Sequence, residues 1–240
     1  MHVTRIDLHP DRYPATERYP FGLPIFRNTR AIALESPVTV FVGENGTGKS
    51  TLLRALAHRA GIHIWRFEDG TRIERNPFEE RLADFLDLSW TDGPVPGAFF
   101  SSELFHDFAE LLEEWAATDP GMLKHFGGRS LLTQSHGQSL MTYFSSRYRI
   151  RGLYCLDEPE TALSPRRQLE LVAVLEEMSR LGHAQFILAT HSPMLMACAG
   201  ARLLSFDGKS VAPIACEETP HYRVYQEFFV GRGKDRGQPS

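Results

Sequence analysis

The chain has 240 residues, 42% hydrophobic and 23% charged, with a formal net charge of −4. This fits one large domain, or one domain with a sub-lobe, and excludes a disordered or fibrous chain. The acidic balance gives no general argument for nucleic-acid binding, although a local basic face stays open.

The segment Met1 to Asp7 carries charge early and lacks an apolar signal core. No run approaches the roughly 18 apolar residues of a membrane span. The three cysteines, Cys155, Cys198 and Cys216, are far apart without a C-x-x-C pair, so they read as buried small hydrophobes. A soluble, reducing, cytoplasmic protein is expected.

In chain order, the first 35 residues interrupt short apolar patches with Pro10, Pro14, Pro20 and Pro24, which predicts short edge strands and loops. Val38 to Val42 is β-branched and aromatic, a buried strand. Thr51 to Ala57 is a helix with Leu52, Ala55 and Leu56 on one face. His63 to Phe67 reads as a short strand. Residues 69 to 97 are rich in charge, Gly and Pro, a loop with weak helix around Arg81 to Leu88. Ala98 to Phe100 reads as a strand end. Glu103 to Ala117 is helical, with Leu104, Phe108, Leu111, Leu112 and Trp115 as its core stripe.

Leu140 to Arg149 is an amphipathic helix. Gly152 to Glu158 is an apolar strand ending in two acids. Pro165 to Leu181 is a helix, and Ala184 to Thr190 a continuous apolar strand. Ala201 to Phe206 and Val211 to Ala215 are strands. Thr219 to Val230 is a last helix before a polar tail. Strands alternating with helices predict an α/β fold with a mostly parallel, doubly wound sheet.

The chemistry starts at Gly43-Glu44-Asn45-Gly46-Thr47-Gly48-Lys49-Ser50, followed by Thr51. This is the G-x-x-x-x-G-K-[ST] phosphate loop, set between a strand and a helix as its mechanism requires. Glycines let backbone N–H groups surround phosphate oxygens. Lys49 brings positive charge to the β- and γ-phosphates. Ser50 offers a hydroxyl to Mg²⁺, and the helix start points its dipole at the same anion.

Asp157 and Glu158 end a buried strand, and in open α/β sheets ligands bind at the carboxyl ends of strands. Asp157 suits Mg²⁺. Glu158 suits polarising a water that attacks the γ-phosphate. His191 follows another such strand, where it can bond the γ-phosphate or orient the water. Ser135 and Gln138 form a capping-box pattern before the 140–149 helix. The same helix start can also present N–H groups to a phosphate held by a partner subunit.

Leu156-Asp157-Glu158-Pro159, then Thr161 to Pro165, then Thr190-His191-Ser192-Pro193 resemble the ATP-binding-cassette class of P-loop ATPases. Within it the chain is similar to bacterial stand-alone predicted AAA-family ATPases related to RecF, Rad50 and SMC heads. Ser135 to Ser139 and Glu217 to Arg223 also look like that family. The resemblance implies a single domain over 1–231, with a helical signature lobe over about 101–149, an N-terminal antiparallel β subdomain and a polar tail at 232–240. It implies a Walker A loop at Gly43 to Thr51, Asp157 and Glu158 as Walker B acid and catalytic glutamate, and His191 as switch histidine. Ser135, Gly137 and Gln138 would be the signature, acting in trans in a head-to-tail dimer that sandwiches two ATP molecules. The D-loop would be Ala162 to Ser164.

The sequence departs from the class pattern in three ways. His136 takes the first glycine of the signature, Ser164 ends the D-loop in place of Asp, and no clear Q-loop glutamine follows a strand. Ser102 and Glu103 occupy that region. Tyr19 and Phe21 are the candidates for adenine stacking.

Lys49 and Ser135 are 86 positions apart, too few for a coiled-coil arm. The 49 residues after His191 are too few for an appended nuclease. The leading expectation is an ATP-hydrolysing switch that acts on a DNA or protein partner. The alternative is the energy subunit of a membrane transporter, which the missing Q-loop and altered signature oppose. A small-molecule kinase is opposed by the adjacent Asp157 and Glu158, which favour water as acceptor. A non-hydrolysing nucleotide module would require a displaced Glu158. Arg147, Arg149 and Arg151 are the densest basic group and read as solvated surface.

Overall fold

The computed structural model describes residues 1–64, 76–119, 121, 123, 130 and 136–235, with the backbone alone for 103, 106, 107, 136 and 232–235. Strand β1 (Val3–Leu8) lies between β2 (Ala31–Ala33) and β4 (Leu86–Trp90) in an antiparallel three-stranded sheet. Strand β3 (Val38–Val42) belongs to a second sheet with β5 (Gly97–Ser101), β6 (Gly152–Asp157), β7 (Ala184–Ala189), β8 (Arg202–Ser205) and β9 (Ala212–Pro213). Its spatial order is β5-β6-β7-β3-β8-β9. Every pairing is parallel except β8 with β9. The fold is α/β, with a mostly parallel sheet flanked by helices.

The central strands β3, β6 and β7 are buried along their whole length. Strands covered on both faces read as continuous apolar runs, because neither face meets water. Their side chains alternate between two cores. Phe41, Leu153, Cys155 and Ile187 face α2 (Lys49–Arg59) and the N-terminal sheet, whose Val3 and Ile6 share that core. Val40, Tyr154, Leu156 and Phe186 face the other core, built with α3 (Ser102–Thr118), α4 (His136–Arg147) and α5 (Pro165–Arg180). By the two-residue period, Asp157 follows Leu153 and Cys155 onto the α2 face.

Gln185, fully buried on β7, joins the two sheets. Its Oε1 accepts from the backbone N–H of both His2 and Val3 at 2.8 Å, and its Nε2 donates to Val3 O at 2.8 Å. A glutamine in an otherwise apolar strand is stable here because its amide oxygen and its amide nitrogen are both bonded to backbone.

The elements follow the sequence reading with five differences. Residues 81–85 form a 3-10 turn, but Leu86–Trp90 is a strand, because pairing with β1 overrides the weak local helical preference. The buried stripe of α3 is Phe105, Ala109, Leu112 and Ala116, so Leu104, Phe108 and Trp115 flank the core rather than fill it. α4 begins at His136 and ends at Arg147, so Gly137, Gln138 and Ser139 are inside the helix. α7 (Pro220–Asp235) runs past Val230 into the stretch read as polar tail. His63 and Ile64 are not in a strand, and Trp65 to Phe67 lie outside the described residues. Two short helices, α1 (Pro24–Asn28) and α6 (Pro193–Met196), complete the chain.

Candidate active site

The loop from β3 to α2 carries the glycine run. Gly43 and Gly48 hold φ values of 143° and 104°, a region that L side chains rarely enter. Space excludes a side chain as well. A Cβ on Gly48 would lie 2.8 Å from Phe26 Cζ, and one on Gly43 would lie 2.8 Å from Asp207 Oδ1. Asp207, just beyond β8, accepts from Glu44 N–H at 2.7 Å and fixes the first turn of the loop. Thr47 Oγ1 donates to Glu44 O at 2.9 Å. α2 starts at Lys49 with Gly48 as its N-cap and no side-chain cap bond. Its first N–H groups therefore suit an anion.

Lys49 is 4% exposed. Its Nζ donates to Gly43 O at 2.7 Å and Glu44 O at 2.8 Å. Burial lowers its pKa, while the Glu158, Asp207, Asp157 and Glu44 carboxylates oppose that shift. The lysine thus stands in a ring of acids, on the loop that carries it.

The strand ends converge on this loop. Asp157 is 4% exposed, and its Oδ2 lies 3.3 Å from Arg54 Nη2 on α2. Arg54 is four residues after Ser50, so the two share one face of the helix. Glu158 is the one non-glycine among the described residues with positive φ, at φ 45° and ψ 54°. Such a conformation costs of order 1 kcal/mol and persists only where the surroundings impose it. Here the Glu158 N–H donates to Ala189 O at 2.9 Å, and Thr161 Oγ1 donates to Glu158 O at 2.8 Å. Ser102 Oγ reaches Thr161 Oγ1 at 2.5 Å, which ties the start of α3 to the same turn. The Glu103 side chain lies outside the described atoms.

His191 follows β7. Its Nε2 is 3.8 Å from Glu158 Oε1, and its Nδ1 is 2.8 Å from His221 Nε2. Its backbone N–H donates to Glu160 Oε1 at 2.6 Å. Burial first, then the charges of Lys49 and His221, lower its pKa to about 4. The ring is therefore neutral at pH 7. Burial raises the Glu160 carboxyl, against the bonds it accepts from His191 and Thr190.

The site thus brings together Gly43, Glu44, Asn45, Gly46, Thr47, Gly48, Lys49, Ser50 and Thr51 with Asp157, Glu158 and His191. Gly137 and exposed Gln138 lie in the first turn of α4. Ser135 lies outside the described residues. Tyr19 Oη is 2.6 Å from Thr51 Oγ1 with the ring partly exposed, whereas Phe21 is fully buried against Tyr13 and Phe85 and belongs to the core.

Among the described residues no group of three or more His, Cys, Asp or Glu is arranged to hold a metal ion. The donors expected from the sequence are one hydroxyl, Ser50, and one carboxylate, Asp157. That set fits Mg²⁺, which takes one or two protein groups and completes its shell with phosphate oxygens and water. The buried His191 Nε2, with no hydrogen-bond partner among the described residues, fits a phosphate oxygen.

A family described as "AAA domain, putative AbiEii toxin, Type IV TA system" matches residues 132–197, and one described as "AAA domain" matches residues 22–58. The chain is 28% identical over 159 residues to "Ferric enterobactin transport ATP-binding protein FepC" of Escherichia coli (strain K12), covering 59% of this chain and 58% of that protein. It is 26% identical over 180 residues to "Probable siderophore transport system ATP-binding protein YusV" of Bacillus subtilis (strain 168), covering 67% of this chain and 63% of that protein. It therefore spans about three fifths of the length of these relatives. The structure titled "Crystal structure of the SmcHead bound to the C-winged helix domain of ScpA" shares the fold at TM-score 0.54 and 14% identity, covering 91% of this chain and 99% of that one. The chain is thus similar to AAA domains and to ATP-binding proteins of the ATP-binding-cassette class.

Four residues at the site were passed over by motif reading. Arg54, Glu160, Asp207 and His221 reach it from α2, the 3-10 turn after β6, the end of β8 and the start of α7. Asp207 carried a signal, an acid directly after an apolar strand. His221 stood inside the family-like segment Glu217 to Arg223, but its pairing with a residue 30 positions away is visible only in three dimensions.

Proposed function

We propose that this chain binds ATP and hydrolyses it to ADP and phosphate, and that two copies close head to tail on two nucleotides. The observation that carries the reading is Glu158, held in a left-handed conformation beside His191 and in the field of Lys49. In this reading the N–H groups of the 43–48 loop and Lys49 hold the β- and γ-phosphates. Ser50 and Asp157 hold Mg²⁺, which when bound offsets phosphate charge. Glu158 accepts a proton from the attacking water, and His191 holds a γ-phosphate oxygen. Arg54 keeps the Asp157 carboxylate aimed at the Ser50 face of α2. Gly137, Gln138 and Ser135 serve the partner's nucleotide as the signature.

The work done by closure goes to a protein or DNA partner. Val224, Tyr225, Phe228, Phe229 and Val230 on α7 are each more than half exposed, which supports a protein partner. The basic group supports DNA less. Arg147 donates to Gly97 O, Arg149 to Ser145 O, and Arg151 lies 3.8 Å from Asp92. The relatives named for transport favour a second reading, the energy subunit of a membrane transporter. Among the described residues no helix is long and apolar enough to cross a membrane. A cytoplasmic location accords with either.

The test is ATP turnover by the wild type and by Glu158→Gln, with and without double-stranded DNA. Turnover that vanishes in the variant assigns the activity to this site. Stimulation by DNA selects a genome-maintenance head, whereas indifference to DNA selects a protein partner. Equal turnover in both proteins would overturn the assignment of Glu158.

A further inference from the structure

The imidazoles of His191 and His221 meet at 2.8 Å, Nδ1 to Nε2, with ring centroids 4.8 Å apart. A hydrogen bond between two ring nitrogens needs one N–H and one lone pair, and the surroundings decide which ring donates. Suppose His191 donates from Nδ1. Its Nε2 is then a lone pair facing the Glu158 carboxylate oxygen at 3.8 Å, and two acceptors oppose each other. His221 Nδ1, buried without a hydrogen-bond partner among the described residues, would be an orphaned N–H, the costlier and rarer kind of unmet polar group.

Suppose instead that His221 donates from Nε2. Its Nδ1 is then a bare lone pair, and the single proton of His191 sits on Nε2, pointing toward Glu158. Both conflicts disappear.

We infer that His221 is a positioning residue that holds His191 in the Nε2–H tautomer, so that His191 presents a donor to the catalytic carboxylate and the phosphate beside it. The start of α7 is built to hold His221 still. Thr219 is fully buried, donates from Oγ1 to Cys216 O at 2.7 Å and accepts at Oγ1 from Tyr222 N–H at 3.3 Å. His221 therefore reaches the site from an anchored turn, and the segment Glu217 to Arg223 gains a purpose. The link to phosphate rests on the ATPase reading above. The tautomer does not.

The experiment has two arms on the full chain. In the first, ¹⁵N-labelled imidazole spectra of the wild type without nucleotide, with His191 assigned by its loss in His191→Ala, locate the His191 proton. Nε2–H is expected. Nδ1–H would overturn the inference whether or not the protein hydrolyses ATP. In the second, His221→Gln keeps an N–H donor and His221→Glu offers only an acceptor. His221→Gln is expected to keep kcat within about threefold, and His221→Glu to lose about tenfold or more in kcat with KM changed less. The His191 proton is expected to move to Nδ1 in His221→Glu. Equal kcat in the two variants, or an unmoved proton in His221→Glu, would refute the role of His221. A wild type with no turnover would refute the ATPase reading alone, and the spectra would still decide the tautomer.

Discussion

At the residue scale, the site is a balance between burial and charge. Burial lowers the Lys49 pKa, and the acids around it oppose that shift. Lys49→Ala removes the one cation on the loop and should abolish tight ATP binding, measured by calorimetry, while Glu158→Gln should retain binding and lose about 10²-fold in turnover. His191 is depressed from 6.5 to about 4, so between those values the unfolded chain binds more protons there than the folded one. Stability then falls as pH drops through that window. Denaturant unfolding at pH 7 and pH 5 should show a larger loss in the wild type than in His191→Gln. An equal loss would mean that the ring already titrates normally. Burial also raises the Cys198 thiol to about 12, in keeping with a packing role for that side chain.

At the scale of elements, the two sheets depend on one amide. Gln185 satisfies the N–H groups of His2 and Val3 and the carbonyl of Val3 from inside β7. Gln185→Leu keeps the bulk and removes all of these bonds, which leaves buried backbone groups unmet at about 1–3 kcal/mol each. The expected outcome is a clear fall in the urea midpoint, with added protease sensitivity near the N-terminus. An unfolding free energy within about 0.3 kcal/mol of wild type would mean that water or rearranged backbone replaces the amide. Alternation explains why the sequence of β6 sets up the site. Two apolar layers fix its register, and the last inward position on the α2 face falls to Asp157.

At the scale of the whole molecule, the proposed dimer predicts complementation. Ser135→Arg and Lys49→Ala should each be inactive alone, because one lacks a signature and the other a phosphate-binding lysine. Mixed, they can assemble one intact composite site, and turnover should reappear at a fraction of the wild-type rate. No recovery in the mixture, with both variants folded, would argue that each subunit works alone. Sedimentation of Glu158→Gln with and without MgATP gives a direct reading of closure, as an ATP-dependent shift in mass.

The sequence by itself determined the P-loop, the strand-end acids and the parallel α/β plan. Each is a local pattern: glycines at set spacing, an apolar run ended by Asp157 and Glu158, strands alternating with helices. Even Glu158 was legible, although its left-handed backbone was not, since that conformation is imposed by Ala189 and Thr161 from outside its own strand. Tertiary structure alone decided the rest. Leu86–Trp90 became a strand because β1 offered a partner. Phe21 went into the core while Tyr19 stayed at the loop. Arg54, Glu160, Asp207 and His221 came to the site from four separate elements. The physical reason is range. Propensity and periodicity act over a few residues, whereas hydrogen bonds and ion pairs join any groups that packing brings within about 3 Å, however far apart they stand in the chain.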